Sequence, residues 1–194
     1  MTQIGIIRHG ITQWNKEGRA QGSTDIPLDE EGILQAHLLG KKLAQEPWDR
    51  IFASDLKRAR ETAEIIAGYV GIDAVLTDIR LREAGAGQLE GTTEAERVVK
   101  WGATWKTLDL GGESKEEVVA RGLSFLQDIT AHYPGEKILI VSHGAFIRYL
   151  LPALLPDIAI TEPLKNTSLT RLVRLESSWN CELYNCTLHL DVAV

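Results

Sequence analysis

The chain has 194 residues, of which 44% are hydrophobic and 25% charged, and its formal net charge is −6. That length suits one well-buried domain spanning residues 1–194, and the composition is that of a soluble globular protein rather than a disordered or low-complexity one. The negative balance argues against a nucleic-acid-coating surface, which needs lysine and arginine to neutralise phosphates. No apolar run reaches membrane-spanning length, and Met1-Thr2-Gln3-Ile4 begins no signal segment, so the sequence predicts a cytoplasmic protein with no membrane contact.

Short β-rich runs alternate with longer helical patterns, the signature of a mostly parallel sheet covered by helices. Ile4–Ile7 is the first expected strand, and Arg8-His9-Gly10 follows it directly. A helix capped by Asp29 runs to about Gln45, with Ile33, Ala36, Leu39 and Leu43 as its apolar positions. Arg50–Ala53 is a second strand and Ala59–Val70 a second helix that stops at Gly71. Ala74–Thr77 is a candidate third strand. Gly91–Gly112 resists the alternation; with Trp101 and Trp105 at helical spacing, it reads as a short insertion capping a pocket. Ser114-Lys115-Glu116-Glu117 is a capping box opening a helix with Val118, Leu123, Leu126 and Ile129 in its apolar stripe, ended by Tyr133-Pro134-Gly135. Lys137–Ser142 is the strongest strand, apolar enough for a sheet centre. A helix follows Gly144 to about Leu154, and Leu169–Leu175 and Cys181–Leu190 form a closing pair joined near Glu176–Asn180. One of these is antiparallel. The expected architecture is α/β, three layers α/β/α with about six strands.

Polar clusters follow the strands: Arg8-His9 after the first, Ser54-Asp55-Leu56-Lys57-Arg58 after the second, Leu81-Arg82-Glu83 beyond the third, and Ser142-His143-Gly144 after the strongest. In a parallel sheet these ends share one edge, where ligands bind. Guanidinium groups suit phosphoryl oxygens through forked, charge-assisted hydrogen bonds, and the amides opening the helix after His143 favour an anion. A neutral histidine is a competent nucleophile at phosphorus. Glu83 would protonate the leaving oxygen if burial or a neighbouring phosphate raised its pKa. No histidine or cysteine spacing suggests a metal site, so metal-free chemistry without a cofactor is expected. His37, His132 and His189 read as surface or packing residues, and Cys181 and Cys186 as packing thiols.

These residues resemble the histidine phosphatase superfamily in its phosphoglycerate-mutase-like branch. Five blocks in order carry the resemblance: Ile7–Asn15 continued through Gly18-Arg19-Ala20-Gln21-Gly22 and Asp25–Leu28; Ala53–Ala59 with Thr62-Ala63; Leu81-Arg82-Glu83 with Gly87 and Leu89-Glu90-Gly91; Gly112-Glu113-Ser114 with Arg121; and Val141–Gly144. The pattern departs from the family at Ile11 and Leu89, where glutamate and an aromatic are common. The resemblance implies that His9 takes the phosphoryl group as phosphohistidine, and that Arg8, Arg58 and His143 clamp its oxygens. Asn15, Gln21, Gly22 and Gly144 would complete substrate binding, with Glu83 serving as acid and then base.

Hydrolysis is preferred over phosphoglycerate mutase activity, because only about twenty residues separate Gly91 from Gly112 and a shallow cap admits water. A catalytically idle relative that binds phosphorylated ligands or proteins is the alternative from another class. The expected partner is a small phosphorylated metabolite. Trp14, Trp101 and Trp105 are candidates for an apolar mouth, and Arg82, Arg97, Lys100 and Lys106 for a second anionic group. Leu169–Val194 leaves open a homodimer.

Overall fold

A computed structural model describes residues 1–158, 160, 162–176 and 178–191. Six strands form one sheet: β1 (Gln3–Arg8), β2 (Arg50–Ala53), β3 (Leu76–Thr77), β4 (Lys137–Ser142), β5 (Leu169–Leu175) and β6 (Ser178–Cys186), in the order β3-β2-β4-β1-β5-β6. The four strands from β3 to β1 pair in parallel, whereas β5 and β6 are antiparallel additions. The helices are α1 (Gln13–Glu17), α2 (Glu30–Leu43), α3 (Lys57–Val70), α4 (Glu94–Trp101), α5 (Lys115–His132) and α6 (Gly144–Leu154).

Side-chain alternation along each strand divides the core into two layers. Ile4 and Ile6 of β1, Phe52 of β2 and Ile138 and Ile140 of β4 pack with Phe125 and Ile129 of α5 and Ile147 and Leu150 of α6. Their neighbours Ile7, Ile51, Ala53, Leu139 and Val141 face the other way, onto Leu39 and Leu43 of α2 and Ala63 and Ile66 of α3. The sheet is therefore covered on both faces, which explains the continuous apolar runs of its central strands. All three central parallel strands end on the same edge, and that edge carries the polar clusters.

Several boundaries differ from those the sequence predicts. The third strand shrinks to Leu76–Thr77, paired only with Phe52 and Ala53. The last strand runs Ser178–Cys186 rather than Cys181–Leu190. The extended backbone breaks near Asn185, whose φ is +48°, and Leu188–Leu190 form a turn of 3-10 helix instead. Ser177, within the expected connection, and Val192–Val194, within the expected dimer segment, lie outside the described residues. On α5, Leu123 is 38% exposed and Phe125 fills the core in its place. In the insertion, Gly102 at φ +81° ends α4 after Trp101, so Trp105 sits in a separate 3-10 turn rather than on one helix with it.

Candidate active site

β1 delivers Arg8 and His9 to the sheet edge, where the His9 N–H donates to Ser142 O of β4 at 2.9 Å. Gly10 allows the chain to turn tightly there: a Cβ on Gly10 would lie 2.6 Å from the Gly32 carbonyl at the start of α2. His9 is 2% exposed, and its ring lies edge-on to that of His143 at 5.2 Å between centroids. His9 Nδ1 lies 2.7 Å from Gly10 O. A carbonyl only accepts, so Nδ1 carries the proton and Nε2 keeps the lone pair in the neutral ring. Burial, and then the positive charges of Arg58 and Arg8, hold His9 well below the usual imidazole pKa. The imidazole is thus neutral at physiological pH, with Nε2 as its nucleophilic atom.

Beneath it lies a buried cationic floor. Arg58, on the first turn of α3, is wholly buried, and its two terminal nitrogens donate to Thr24 O at 2.7 Å and Gly22 O at 2.8 Å. Burial lowers its pKa to about 10, still cationic near neutrality. Arg8 donates to Leu164 O. Arg8 Nε, Arg58 Nε and both ring nitrogens of the fully buried His143 have no hydrogen-bond partner among the described residues, nor does Gln21 Oε1. Unpaired buried polar atoms are costly. The arginine Nε–H groups and one imidazole nitrogen are donors, so an anion with several acceptor oxygens satisfies them together. Burial, then Arg58, also keeps His143 well below its ordinary pKa.

Glu83 reaches the same edge from the 3-10 turn Ile79–Leu81. Its carboxylate accepts from the amides of Ala84 (2.9 Å), Ala145 (3.2 Å) and Phe146 (2.9 Å), the last two in the first turn of α6. The acceptor at this helix N-terminus is therefore a side chain of the protein itself, which differs from the expectation that these amides receive a ligand. Arg121 of α5 fixes the Glu83 segment from behind, donating to the carbonyls of Arg80 and Arg82 at 2.7 Å and Glu83 at 3.1 Å while paired with Glu113. Ser142 Oγ ties β4 to it through Leu81 O at 2.7 Å.

The histidine phosphatase superfamily (branch 1) family model matches residues 4–187. The chain belongs to this superfamily. As a histidine phosphatase it is 36% identical over 194 residues to "Uncharacterized phosphatase PhoE" of Bacillus subtilis, covering 98% of each chain. It is 38% identical over 208 residues to "Probable phosphoglycerate mutase GpmB" of Yersinia pestis, covering 99% of this chain and 96% of that one. A phosphoserine phosphatase mutant from Entamoeba histolytica, solved with phosphoserine, superposes with a TM-score of 0.82 at 30% identity over 98% of this chain and all of the other. The phosphoserine phosphatase bound to 3-phosphoglyceric acid gives 0.83 at 32% identity, with the same coverage.

In this histidine phosphatase, Arg8, His9, Asn15, Gln21, Glu83 and Gly144 line one cavity of about 260 Å³, with Arg58 and His143 buried nearby. Gly22 is not in that lining; its carbonyl instead anchors Arg58. Asn15 is partly occupied as the N3 residue of a capping box with Thr12 on α1, a helix the sequence pattern does not announce. Arg19, Ala145, Arg148, Pro163 and Leu164 also line the cavity, although no motif expectation pointed to them as site residues.

The charged residues expected to meet a second anion are otherwise engaged. Arg82 pairs with Asp55 at 2.6 Å and Lys106 with Glu94 at 2.9 Å; Arg97 stacks on Trp105, and Lys100 on Trp101. Trp105 borders an adjoining pocket that shares Ala145 with the main cavity, whereas Trp14 and Trp101 line neither. Among the described residues, no group of three or more His, Cys, Asp or Glu is arranged to hold a metal, and no helix is long and apolar enough to cross a membrane.

Proposed function

We propose that the protein hydrolyses small phosphate monoesters through a phosphohistidine on His9. The observation that carries this is the convergence of unpaired buried nitrogens of Arg8, Arg58 and His143 around a neutral His9 whose Nε2 is free to attack. The Nε2 lone pair forms the P–N bond as the ester P–O bond breaks, and Glu83, which takes its proton from the entering monoanionic ester, passes that proton to the departing oxygen. Glu83 then takes a proton from water, the resulting oxygen forms a P–O bond, and the P–N electrons return to Nε2. The arginines and His143 hold the phosphoryl oxygens in both steps, and this fixed charge supplies much of the rate enhancement.

Short substrates with a carboxylate near the phosphate fit best. Arg148 is the one cavity-lining cation outside the Arg8 site without a carboxylate within 4 Å among the described residues, since Arg19 pairs with Glu17 and Glu96. It lines the same cavity as Arg8 and His9, where the carboxylate of a short phospho-acid would meet it. The phosphoserine and 3-phosphoglyceric acid bound by the Entamoeba neighbour have that chemistry. Residues 1–194 act as one domain, with residues 91–112 as its cap.

A phosphate-release assay tests the reading. Phosphoserine and 3-phosphoglycerate should release phosphate, and Arg148→Met should raise KM for both while sparing a phosphate monoester whose alcohol part carries no charge. The GpmB relative motivates the mutase reading, which predicts isomerisation of primed 3-phosphoglycerate faster than phosphate release. That result would replace hydrolysis as the assigned reaction.

A further inference from the structure

The segment Leu164–Ser168, just before β5, grips the backbone of the two residues that begin the site. Ser168 O accepts the Arg8 N–H at 3.3 Å, and Asn166 Nδ2 donates to His9 O at 3.0 Å. The Thr167 N–H is shared between Arg8 O at 3.0 Å and His9 O at 3.3 Å. Thr167 is fully buried at φ +53°, a region that a β-branched residue enters only under constraint. Its hydroxyl lies 2.8 Å from Asn166 O and 3.1 Å from His189 Nε2, and His189, 6% exposed, comes from the 3-10 turn that follows β6. Neither Thr167 nor His189 lines the substrate cavity.

We propose that His189 and Thr167 form a brace that positions the His9 imidazole for in-line attack, an inference that rests on His9 being the nucleophile. The chain of contacts is short and buried throughout: His189 Nε2 to Thr167 Oγ1, then the Thr167 backbone N–H to the carbonyls of Arg8 and His9. Glycine or asparagine would adopt this backbone conformation with less strain, but neither carries a hydroxyl for His189 to hold. The site therefore keeps a strained threonine and locks it from the C-terminal turn. A displacement of His9 by a fraction of an ångström moves Nε2 off the line of attack, while Arg58, anchored to the carbonyls of Thr24 and Gly22, still holds the phosphoryl group. His189 and Thr167 are accordingly positioning residues, and they act on the phosphoryl-transfer rate more than on substrate affinity.

The test compares Thr167→Val with Thr167→Ser and His189→Ala with His189→Gln, in the full chain. Rapid-quench measurement of His9 phosphorylation by an aryl phosphate is read alongside KM and the unfolding temperature. Thr167→Val and His189→Ala should slow phosphorylation by up to ~10²-fold, the scale of a small misplacement of reacting atoms, with KM changed far less. Thr167→Ser should keep the wild-type rate, and His189→Gln should recover most of it. If Thr167→Val and His189→Ala lower the unfolding temperature yet phosphorylate at the wild-type rate, the brace is overturned. Should His189→Ala fail to fold, the Thr167→Val and Thr167→Ser pair decides alone. A wild-type enzyme that never becomes phosphorylated refutes the nucleophile assignment itself, a failure distinct from a labelled wild type with equally fast variants.

Discussion

Lowering the pH from about 7.5 to about 5.5 should destabilise this protein steeply, because three of its histidines are held neutral by the fold. Burial keeps His9 and His143 well below the ordinary imidazole value, reinforced by Arg58, and burial lowers His189 to about 4. In the unfolded chain each takes up a proton near pH 6.5, so across this interval the unfolded state binds more protons than the native one. Stability is then fully present well above pH 6.5 and falls as the pH drops through it. Each histidine contributes a loss of about 1.4 kcal/mol over this interval, and the three together about 4 kcal/mol. That is a large share of the roughly 5–15 kcal/mol that separates folded from unfolded domains. Urea unfolding in phosphate-free buffer at the two pH values measures the difference. His143→Gln should reduce the loss to about 3 kcal/mol, whatever it does to stability at the higher pH. A variant that loses as much as wild type would refute the claim that His143 is buried uncharged.

Two further outcomes follow from the site geometry. Glu83→Gln should slow alkyl phosphates by about 10²-fold or more while slowing aryl phosphates much less, since a good leaving group needs little protonation; equal slowing in steady-state assays would remove Glu83 from the acid role. Gly22→Ala places a Cβ 2.2 Å from a Glu90 carboxylate oxygen and 2.9 Å from Ala86 N, on a backbone at φ +51°. It should cost about 1–3 kcal/mol of stability and lower turnover by shifting the carbonyl that anchors Arg58; thermal unfolding and kinetics at unchanged values would contradict that anchor.

The layered sheet was legible because β2 and β4 are short apolar runs between strong helix signals and β5 alternates apolar with polar residues, and the boundaries of all three match the structure. His9, Arg58, Glu83 and His143 were legible because each follows a strand or its adjoining turn, and parallel strands place those ends together. The five-residue α1 was not, since it has no apolar stripe and buries no residue. Arg148 looks like any solvent-facing residue of a helix until α6 is docked beside β1. Asn166, Thr167 and His189 escaped for a different reason: their roles arise from antiparallel strands folding back on β1, a long-range pairing that no local spacing records. β6 was misread because its polar-apolar alternation continues in the sequence past Cys186, where the strand ends and a 3-10 turn follows.

The central claim, a phosphoryl group carried on Nε2 of His9, is tested most directly by trapping the intermediate and reading its phosphorus NMR signal. Phosphate-monoester substrate quenched within the first turnover should leave an acid-labile, base-stable label on wild-type protein, with the chemical shift of an Nε2-phosphorylated imidazole, and none on folded His9→Ala. A label on Nδ1, a label that survives His9→Ala, or turnover without any phosphoenzyme would contradict it.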